Sequence, residues 1–378
     1  MPSKSNPWVR YVIGMLLFAS NSAWAEWAVN LTQGATEISR EVYDLHMTIF
    51  WICVWIGVVV FGVMFWSVFA HRKSKGAVAA QFHESTLVEL IWTAVPFVIL
   101  VVMAIPATAT LVKMYDNSEA KIDIKITGYQ WKWHYDYMNE KVDYFSNLST
   151  PQSEIYNKNP KGEHYLLEVD EPLVIPVNTK VRFLFTANDV IHSWWVPDLA
   201  VKKDAIPGFV NESWTIVDTP GVYRGQCAEL CGKDHGFMPI VVVAKEQADY
   251  DKWIAERQAS AAKERELKDK KFTKAQLMAR GEEAYLKNCA GCHNVDGTGI
   301  PPAFPALKGS PIAVESGNKD AHIDVVVNGK AGTYMAAFGP QLSEVDLAAI
   351  ITYERNAWGN DTGDVIQPID IVKFKAGK

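Results

Sequence analysis

Two long apolar runs constrain the fold of this chain more than any other feature. Ile49–Phe69 and Leu90–Val112 contain no charged side chain, and each is long enough to cross about 30 Å of hydrocarbon as a helix. Between them lies the basic cluster His71–Lys75, and such clusters stay on the cytoplasmic side of a membrane. The sequence therefore predicts a transmembrane hairpin within residues 26–115, with helices at about 45–70 and 87–113 and both ends facing outward.

The first 25 residues have the pattern of an export signal. Lys4 and Arg10 precede a short apolar core, and Ala23–Ala25 follows it. An uncleaved anchor helix is the alternative, but the apolar core is too short to span a bilayer. We predict a signal peptide over 1–25. We then expect a bacterial inner-membrane protein whose residues after about 115 lie in the periplasm.

The remainder of the chain changes pattern twice. Residues 116–245 contain short segments with turn signals between them, which predicts an all-β sandwich or barrel. The expected strands include 122–126, 166–169, 181–185, 214–217 and 240–243. Residues 246–272 are densely charged and predict a helical linker. Residues 273–358 predict a small all-α domain, and 359–378 a C-terminal tail.

Within the predicted all-α domain, the spacing favours two longer helices. One is expected over Ala275–Asn288, and another begins after Ser343, a good N-cap residue, and reaches about Trp358. Gly- and Pro-rich loops lie between them.

Cys289–His293 has the pattern C-x-x-C-H, the attachment sequence for c-type haem. In that chemistry two thiols add to the haem vinyl groups, and the adjacent imidazole binds the iron. A redox-active dithiol is the alternative. Met335 is the favoured second axial ligand, because it lies in a loop after His293 and before the last predicted helix, and His322 is its rival. A thioether ligand would raise the haem potential.

A second motif, Cys227–Met238, has the spacing C-x3-C-x3-H-x2-M. Thiolates, an imidazole and a thioether are soft ligands that select copper. A single blue-copper site needs one cysteine, whereas two cysteines four residues apart can bridge two copper ions. A second histidine is then needed from another loop, and His192 is the candidate. The alternative is a disulfide between Cys227 and Cys231.

The combination resembles subunit II of the haem–copper cytochrome c oxidases, in the caa-type variant that carries a C-terminal cytochrome c domain. The match covers nearly the whole chain. It implies a multidomain fold: a two-helix transmembrane hairpin, an all-β cupredoxin-like domain and an all-α class I cytochrome c domain. It also implies that electrons pass from cytochrome c through haem c and a dinuclear copper centre, CuA, to subunit I. There oxygen is reduced to water with proton translocation.

The resemblance assigns roles to individual residues. The copper ligands would be His192, Cys227, Glu229 (through its carbonyl), Cys231, His235 and Met238, and haem c would be held by Cys289, Cys292, His293 and Met335. The Glu229 side chain would reach a magnesium ion shared with subunit I. Trp131 would be the electron-entry residue, and Glu89 the entrance of a proton pathway. From its position alone, Glu89 is more simply an interfacial charge that reaches water.

Two positions depart from the family's pattern. Lys132 stands where an aromatic residue is usual, and Phe209 stands where an arginine follows the segment Asp204–Gly208. Electron entry and one contact to subunit I are therefore expected to differ here. The linker is expected to tether the haem domain near the copper site at high effective concentration.

The implied partners are subunit I, subunit III, membrane lipid, and cytochrome c or a membrane cytochrome complex as electron donor. The formal charge of −6 and the pI near 5.9 argue against nucleic-acid binding. Two other functions remain open at this point. One is the electron-entry subunit of a copper-containing nitric oxide reductase, and the other is a non-enzymatic, membrane-tethered electron shuttle.

Overall fold

The computed structural model describes residues 30–78, 81 and 83–377. The predicted signal peptide lies outside these residues. The described chain forms two compact units, which are considered separately. One holds the described residues before Asn117 together with Pro197–Val201, and the other holds Asn117–Val196 and the described residues from Lys202 onward.

The described helices and strands follow one another in the order that the sequence pattern predicts. The α-helices are α1 (Glu37–Ala70), α2 (Thr86–Met114), α3 (Gln152–Ile155), α4 (Gln247–Leu267), α5 (Lys274–Asn288), α6 (Ala290–His293), α7 (Pro311–Val314), α8 (Lys319–Asn328), α9 (Glu344–Asn356) and α10 (Pro368–Ala376). The strands are β1 (Ile122–Tyr129), β2 (Lys132–Tyr137), β3 (Val142–Ser146), β4 (Leu173–Pro176), β5 (Val181–Ala187), β6 (His192–Val196), β7 (Val201–Ala205), β8 (Asn211–Thr215), β9 (Gly221–Cys227) and β10 (Pro239–Lys245).

The first unit contains an antiparallel pair of helices, each long and apolar enough to cross a membrane. Their apolar side chains are exposed along much of their length, and Trp66, for example, is 71% exposed. Lys113, near the end of α2, forms ion pairs of 2.7 and 2.6 Å with Glu37 and Glu41 near the start of α1. These pairs join opposite ends of the two helices, as a hairpin requires.

Helix α1 begins at Glu37, earlier than the predicted start near residue 45. The Thr36 hydroxyl accepts a hydrogen bond from the Ser39 amide, and the Ser39 hydroxyl accepts one from the Thr36 amide. This capping box satisfies two amides that would otherwise lack partners at the helix start. The apolar run therefore marks the membrane-compatible part of α1, and the cap decides where the helix begins.

A β-sandwich forms the first part of the second unit. Its two five-stranded sheets have the strand orders β3-β2-β1-β5-β8 and β4-β10-β9-β6-β7. Phe183 and Phe185 of β5 contact Trp194 of β6, with ring centroids 5.3 and 5.8 Å apart. All three side chains are fully buried, so they form the core where the two sheets face each other. The predicted cupredoxin-like all-β class is confirmed.

The predicted strand over Leu166–Val169 is wrong, whereas the other predicted strand segments overlap observed strands. Leu166 has a φ of 61°, a left-handed conformation that an extended strand cannot contain. Asp170 accepts a hydrogen bond of 2.8 Å from the Asn147 amide, which helps to close this segment into a loop.

The helical domain forms the rest of the second unit, and α5 crosses α9 at its centre. Gly281 permits the crossing, since a Cβ at that position would lie 2.2 Å from the carbonyl oxygen of Ala349. The segment predicted as a tail instead belongs to this domain. Ile366 and Ile371 are fully buried and pack against Ile351 of α9. Apolar side chains beyond residue 358 therefore complete the core of this domain.

Substitution of Gly281 by alanine should destabilise the helical domain by about 2 kcal/mol. Alanine gains up to about 1 kcal/mol in helix propensity, but the added methyl meets backbone, and such overpacking typically costs about 1–3 kcal/mol. Thermal unfolding of the full chain by circular dichroism, with hydrogen exchange in α9, measures the effect. Gly317→Ala is the matched control, because a Cβ there meets nothing within 4 Å. An unchanged midpoint for Gly281→Ala would contradict the tight crossing.

Candidate copper and haem sites

A buried cluster of His192, Cys227 and Cys231 lies at one end of the sandwich. Their ligand atoms all lie within 4.8 Å of one another, and all three residues are buried. Strand pairing creates the cluster: β6 begins at His192 and β9 ends at Cys227, and Trp194 is paired with Cys227 across the two antiparallel strands. The Ala228 amide also donates to the Ser193 carbonyl at 2.9 Å, which extends the contact beyond β9.

The two cysteines of the cluster are free thiols whose sulfur atoms lie 3.8 Å apart. Their mutual hydrogen bond lowers the pKa of Cys227 and raises the pKa of Cys231 above its ordinary range. A bound metal would displace the thiol protons, because thiolates are the ligand form of cysteine.

The His192 ring is oriented for metal binding. Its Nε2 lies 2.9 Å from Oδ1 of Asp189, while Nδ1 is buried and has no hydrogen-bond partner. The carboxylate holds the proton on Nε2, so that Nδ1 presents its lone pair toward the cysteines. Burial opposes protonation, but the hydrogen bond to Asp189 and the nearby Cys227 sulfur raise the His192 pKa on balance. A buried, unpartnered nitrogen beside two thiols fits a copper ligand.

Three further predicted ligands surround Cys231 and Cys227. The Nδ1 atom of His235 and the Sδ atom of Met238 each lie 3.5 Å from the Cys231 sulfur. The Glu229 carbonyl oxygen lies 3.4 Å from the Cys227 sulfur, while the Glu229 side chain is exposed. The structure therefore gathers all six predicted copper ligands around the two sulfurs.

Trp131 contacts the backbone of this loop directly. Its indole N–H donates to the Cys231 carbonyl at 3.1 Å, and the Gln130 side-chain amide donates to the same oxygen at 2.8 Å. The Gln130 backbone amide in turn donates to Asp189. Sequence reasoning missed Gln130 and Asp189 as supports of the site. The position of Asp189, three residues before a candidate ligand histidine, was the available signal.

The C-x-x-C-H segment lies where α5 ends and the short α6 begins. His293 is buried, and its Nδ1 lies 2.8 Å from the Pro305 carbonyl oxygen, which leaves Nε2 as the ligand atom. Burial raises the pKa of Cys289 well above its ordinary range and that of Cys292 to about 11. Reactive dithiols instead have a lowered thiol pKa.

The two candidates for the second haem ligand have different surroundings. Met335 lies in the loop between α8 and α9, where it packs on the core formed by Ile323, Val327 and their neighbours. His322 is buried in α8, with Nε2 2.8 Å from Oε2 of Glu354 and with Nδ1 unpartnered. Nε2 of His322, the usual haem-ligand nitrogen, is thus hydrogen-bonded to a carboxylate. Among the described residues, no carboxylate engages the Met335 thioether in this way.

Glu89 lies in the first turn of α2, and its side chain is exposed. Its Oε1 lies 3.4 Å from the backbone amide of Ser85, the N-cap residue, which is a long hydrogen bond. Stabilisation of the helix start is therefore one role that the structure supports for this carboxylate.

Gly128→Ala should weaken copper binding about tenfold. A Cβ at residue 128 would lie 2.7 Å from Cδ2 of His192, so the imidazole would have to move, and misplaced support of a ligand typically costs about 10–100-fold in metal affinity. Copper titration of the full chain in detergent against a competing chelator measures this change. Gly162→Ala is the control, since its nearest neighbour would be a flexible carboxylate at 3.6 Å. Equal affinities for both variants would contradict the role given to this contact.

Comparisons with known proteins agree with this architecture. The family models that match are "Cytochrome C oxidase subunit II, transmembrane domain" over residues 24–109, "Cytochrome C oxidase subunit II, periplasmic domain" over 122–245, and "Cytochrome C oxidase, cbb3-type, subunit III" over 276–353. Copper and haem are thereby implied for the sandwich and the helical domain. The spanning helices and the transmembrane model indicate a membrane protein with a soluble domain.

Similar proteins include subunits from bacteria and an alga. A probable cytochrome c oxidase subunit 2 of Rickettsia prowazekii is 39% identical and aligns over 69% of this chain and 84% of that protein. The cytochrome c oxidase subunit 2 of Cyanidium caldarium is 38% identical, over 62% and 92% respectively. A solved periplasmic domain of subunit II of cytochrome oxidase from Bradyrhizobium japonicum is 39% identical, covering 38% of this chain and 96% of that one, with a TM-score of 0.33. The chain therefore belongs to the cytochrome c oxidase subunit II family.

Proposed function

We propose that this protein is the electron-entry subunit of a cytochrome c oxidase. Electrons would pass from an external cytochrome c, or a membrane cytochrome complex, through haem c and a dinuclear copper centre to subunit I, where oxygen is reduced. The observation that carries the proposal is the buried cluster of His192, Cys227 and Cys231, with the unpartnered His192 Nδ1, in the same chain as a C-x-x-C-H segment. The relatives do not favour a nitric oxide reductase or a non-enzymatic shuttle.

The six residues gathered around the two sulfurs would hold copper. Cys227, Cys231, His192, His235, Met238 and the Glu229 carbonyl would supply its ligand atoms. A dinuclear centre held by both thiolates would supply one-electron redox chemistry, with the electron shared over the centre. The chain contributes rigidity, because the ligands lie on paired strands and on a loop held by the Trp131 and Gln130 side chains.

Cys289 and Cys292 would attach haem c, and His293 and Met335 would be its axial ligands. Support for Met335 comes from the engagement of His322 Nε2 by Glu354. The Pro305 carbonyl would hold the imidazole of His293 in the correct tautomer.

The remaining assignments concern entry, exit and partners. Trp131 would be the entry residue for electrons at the copper centre, since its indole contacts the Cys231 carbonyl. The exposed Glu229 carboxylate would reach a magnesium ion shared with subunit I, and Glu89 would lie at the mouth of a proton pathway. The soluble domains would face the bacterial periplasm, and subunit III would complete the complex.

The purified full chain, matured with copper and haem available, should contain two copper ions per covalently bound haem. Cys227→Ser should reduce this ratio and abolish the hyperfine pattern of two equivalent copper nuclei in electron paramagnetic resonance, because serine cannot supply the bridging thiolate. Cys53→Ser is the matched control, since Cys53 is exposed in α1. A ratio of one or zero in the folded wild type would remove the dinuclear centre from this proposal.

Glu89→Gln in the assembled complex should slow oxygen consumption and proton uptake while leaving copper content unchanged. Glutamine keeps an oxygen that can accept the Ser85 hydrogen bond, so the cap is preserved and only the titratable group is lost. Glu84→Gln, a nearby exposed carboxylate outside the helix, is the control. Unchanged turnover in Glu89→Gln would show that Glu89 serves the helix start alone.

A further inference from the structure

Lys132 is a buried lysine at the junction between the sandwich and the helical domain. It begins β2, is 6% exposed, and its Nζ donates to Oδ1 of Asn288 at 3.0 Å. Asn288 ends α5 and immediately precedes Cys289. The ammonium also lies 4.5 Å from the ring centre of Phe145 in the sandwich and 5.4 Å from that of Phe338 in the helical domain.

These partners of Lys132 are unusual because an amide oxygen and two ring faces carry no formal charge. Taking an ammonium out of water without a direct counter-ion is unfavourable, and burial lowers the Lys132 pKa to about 8. An apolar side chain would fill the same space without this penalty. The geometry therefore points to a role for the cation in specifying how the two domains meet.

A second lysine contacts the same segment from the copper loop. Lys233, between Cys231 and His235, donates from Nζ to the Gly291 carbonyl at 3.0 Å. Gly291 lies between the two haem-attachment cysteines. The two lysines thus contact residues on either side of Cys289, and they place the C-x-x-C-H segment beside the loop that carries the copper ligands.

The linker helix α4 contacts both the sandwich and the helical domain. Trp253 packs on Tyr137 of the sandwich, with ring centroids 5.5 Å apart, and Arg257 forms an ion pair with Glu171. Farther along the same helix, Glu264 accepts a hydrogen bond of 2.6 Å from Arg280 of the helical domain. The predicted helical linker is therefore in contact with both domains, which adds a structural connection to the effective concentration that a linker provides.

We infer that Lys132 and Lys233 are positioning residues that dock the haem-attachment segment on the copper loop, so that the haem domain is a fixed relay. This inference rests on the proposed function, because it gives the docked geometry its purpose. The ammonium beside Cys289 would also favour an added electron on the haem side, since an uncompensated positive charge in a poorly solvated site stabilises negative charge nearby.

Docking is tested first in the wild-type protein, without any substitution. Amine-reactive labelling of the full chain in detergent, followed by mass spectrometry, compares Lys132 with Lys125, an exposed lysine on the neighbouring strand β1. We expect Lys132 to be labelled at least about tenfold more slowly, because it is buried and hydrogen-bonded. Equal labelling rates would overturn the inference.

Lys132→Met then removes the charge while keeping an unbranched side chain. Hydrogen exchange across residues 288–293 should rise about tenfold, the change expected from the loss of one charge-assisted hydrogen bond, while exchange in the sandwich core stays the same. The midpoint potential of haem c should fall. Asn288→Ala should cause a similar rise in exchange. Exchange in the double variant should not exceed that of the more affected single variant, because both substitutions remove the same hydrogen bond. Lys125→Met is the control and should change neither readout.

The outcomes separate this inference from the proposed function. Unchanged exchange and an unchanged potential in Lys132→Met, in protein that carries two coppers per haem, would overturn docking by Lys132 and leave the electron-entry function standing. A wild-type chain without copper or haem would remove the proposed function itself. Normal metal content in Lys132→Met with raised exchange would support both.

Discussion

The pairing of β6 with β9 is the interaction on which the candidate copper site depends. It places the first residue of β6, His192, beside the last residue of β9, Cys227, although the two are far apart in the chain. Both strands lie inside the sheet, with β10 on the other side of β9 and β7 on the other side of β6, so neighbours hold them on both sides. A rigid pair of strands limits rearrangement when an electron arrives, and this favours fast electron transfer.

Around that pairing, polar side chains hold the loop that completes the site. Asp189 accepts hydrogen bonds from Gln130 and lies beside His192, and Gln130 and Trp131 both donate to the Cys231 carbonyl. The network connects three separate segments of the sandwich through buried or half-buried groups. Such a network leaves the ligand atoms in place before metal binds, which is why His192 Nδ1 is buried without a partner.

The helical domain is joined to the sandwich by more than a linker. Helix α4 packs on the sandwich through Trp253 and contacts the helical domain through Glu264, and Lys132 adds a contact at the haem-attachment segment. In the docked arrangement that we infer, the geometry between the two candidate redox sites would be constant. The burial of Lys132 is the energetic cost of that arrangement.

The sequence by itself determined the features that depend on neighbouring residues. The apolar runs predicted both membrane helices, Ser343 predicted the start of α9, and the spacing of Cys227–Met238 and Cys289–His293 predicted two local groups of candidate ligands. These patterns can be read because spacing along one helix or loop sets spatial proximity directly. Tertiary structure decided the loop at Leu166, the burial of Ile366 and the contacts of Lys132. Each of these depends on a backbone conformation or a partner set by packing, and local periodicity carries no information about it.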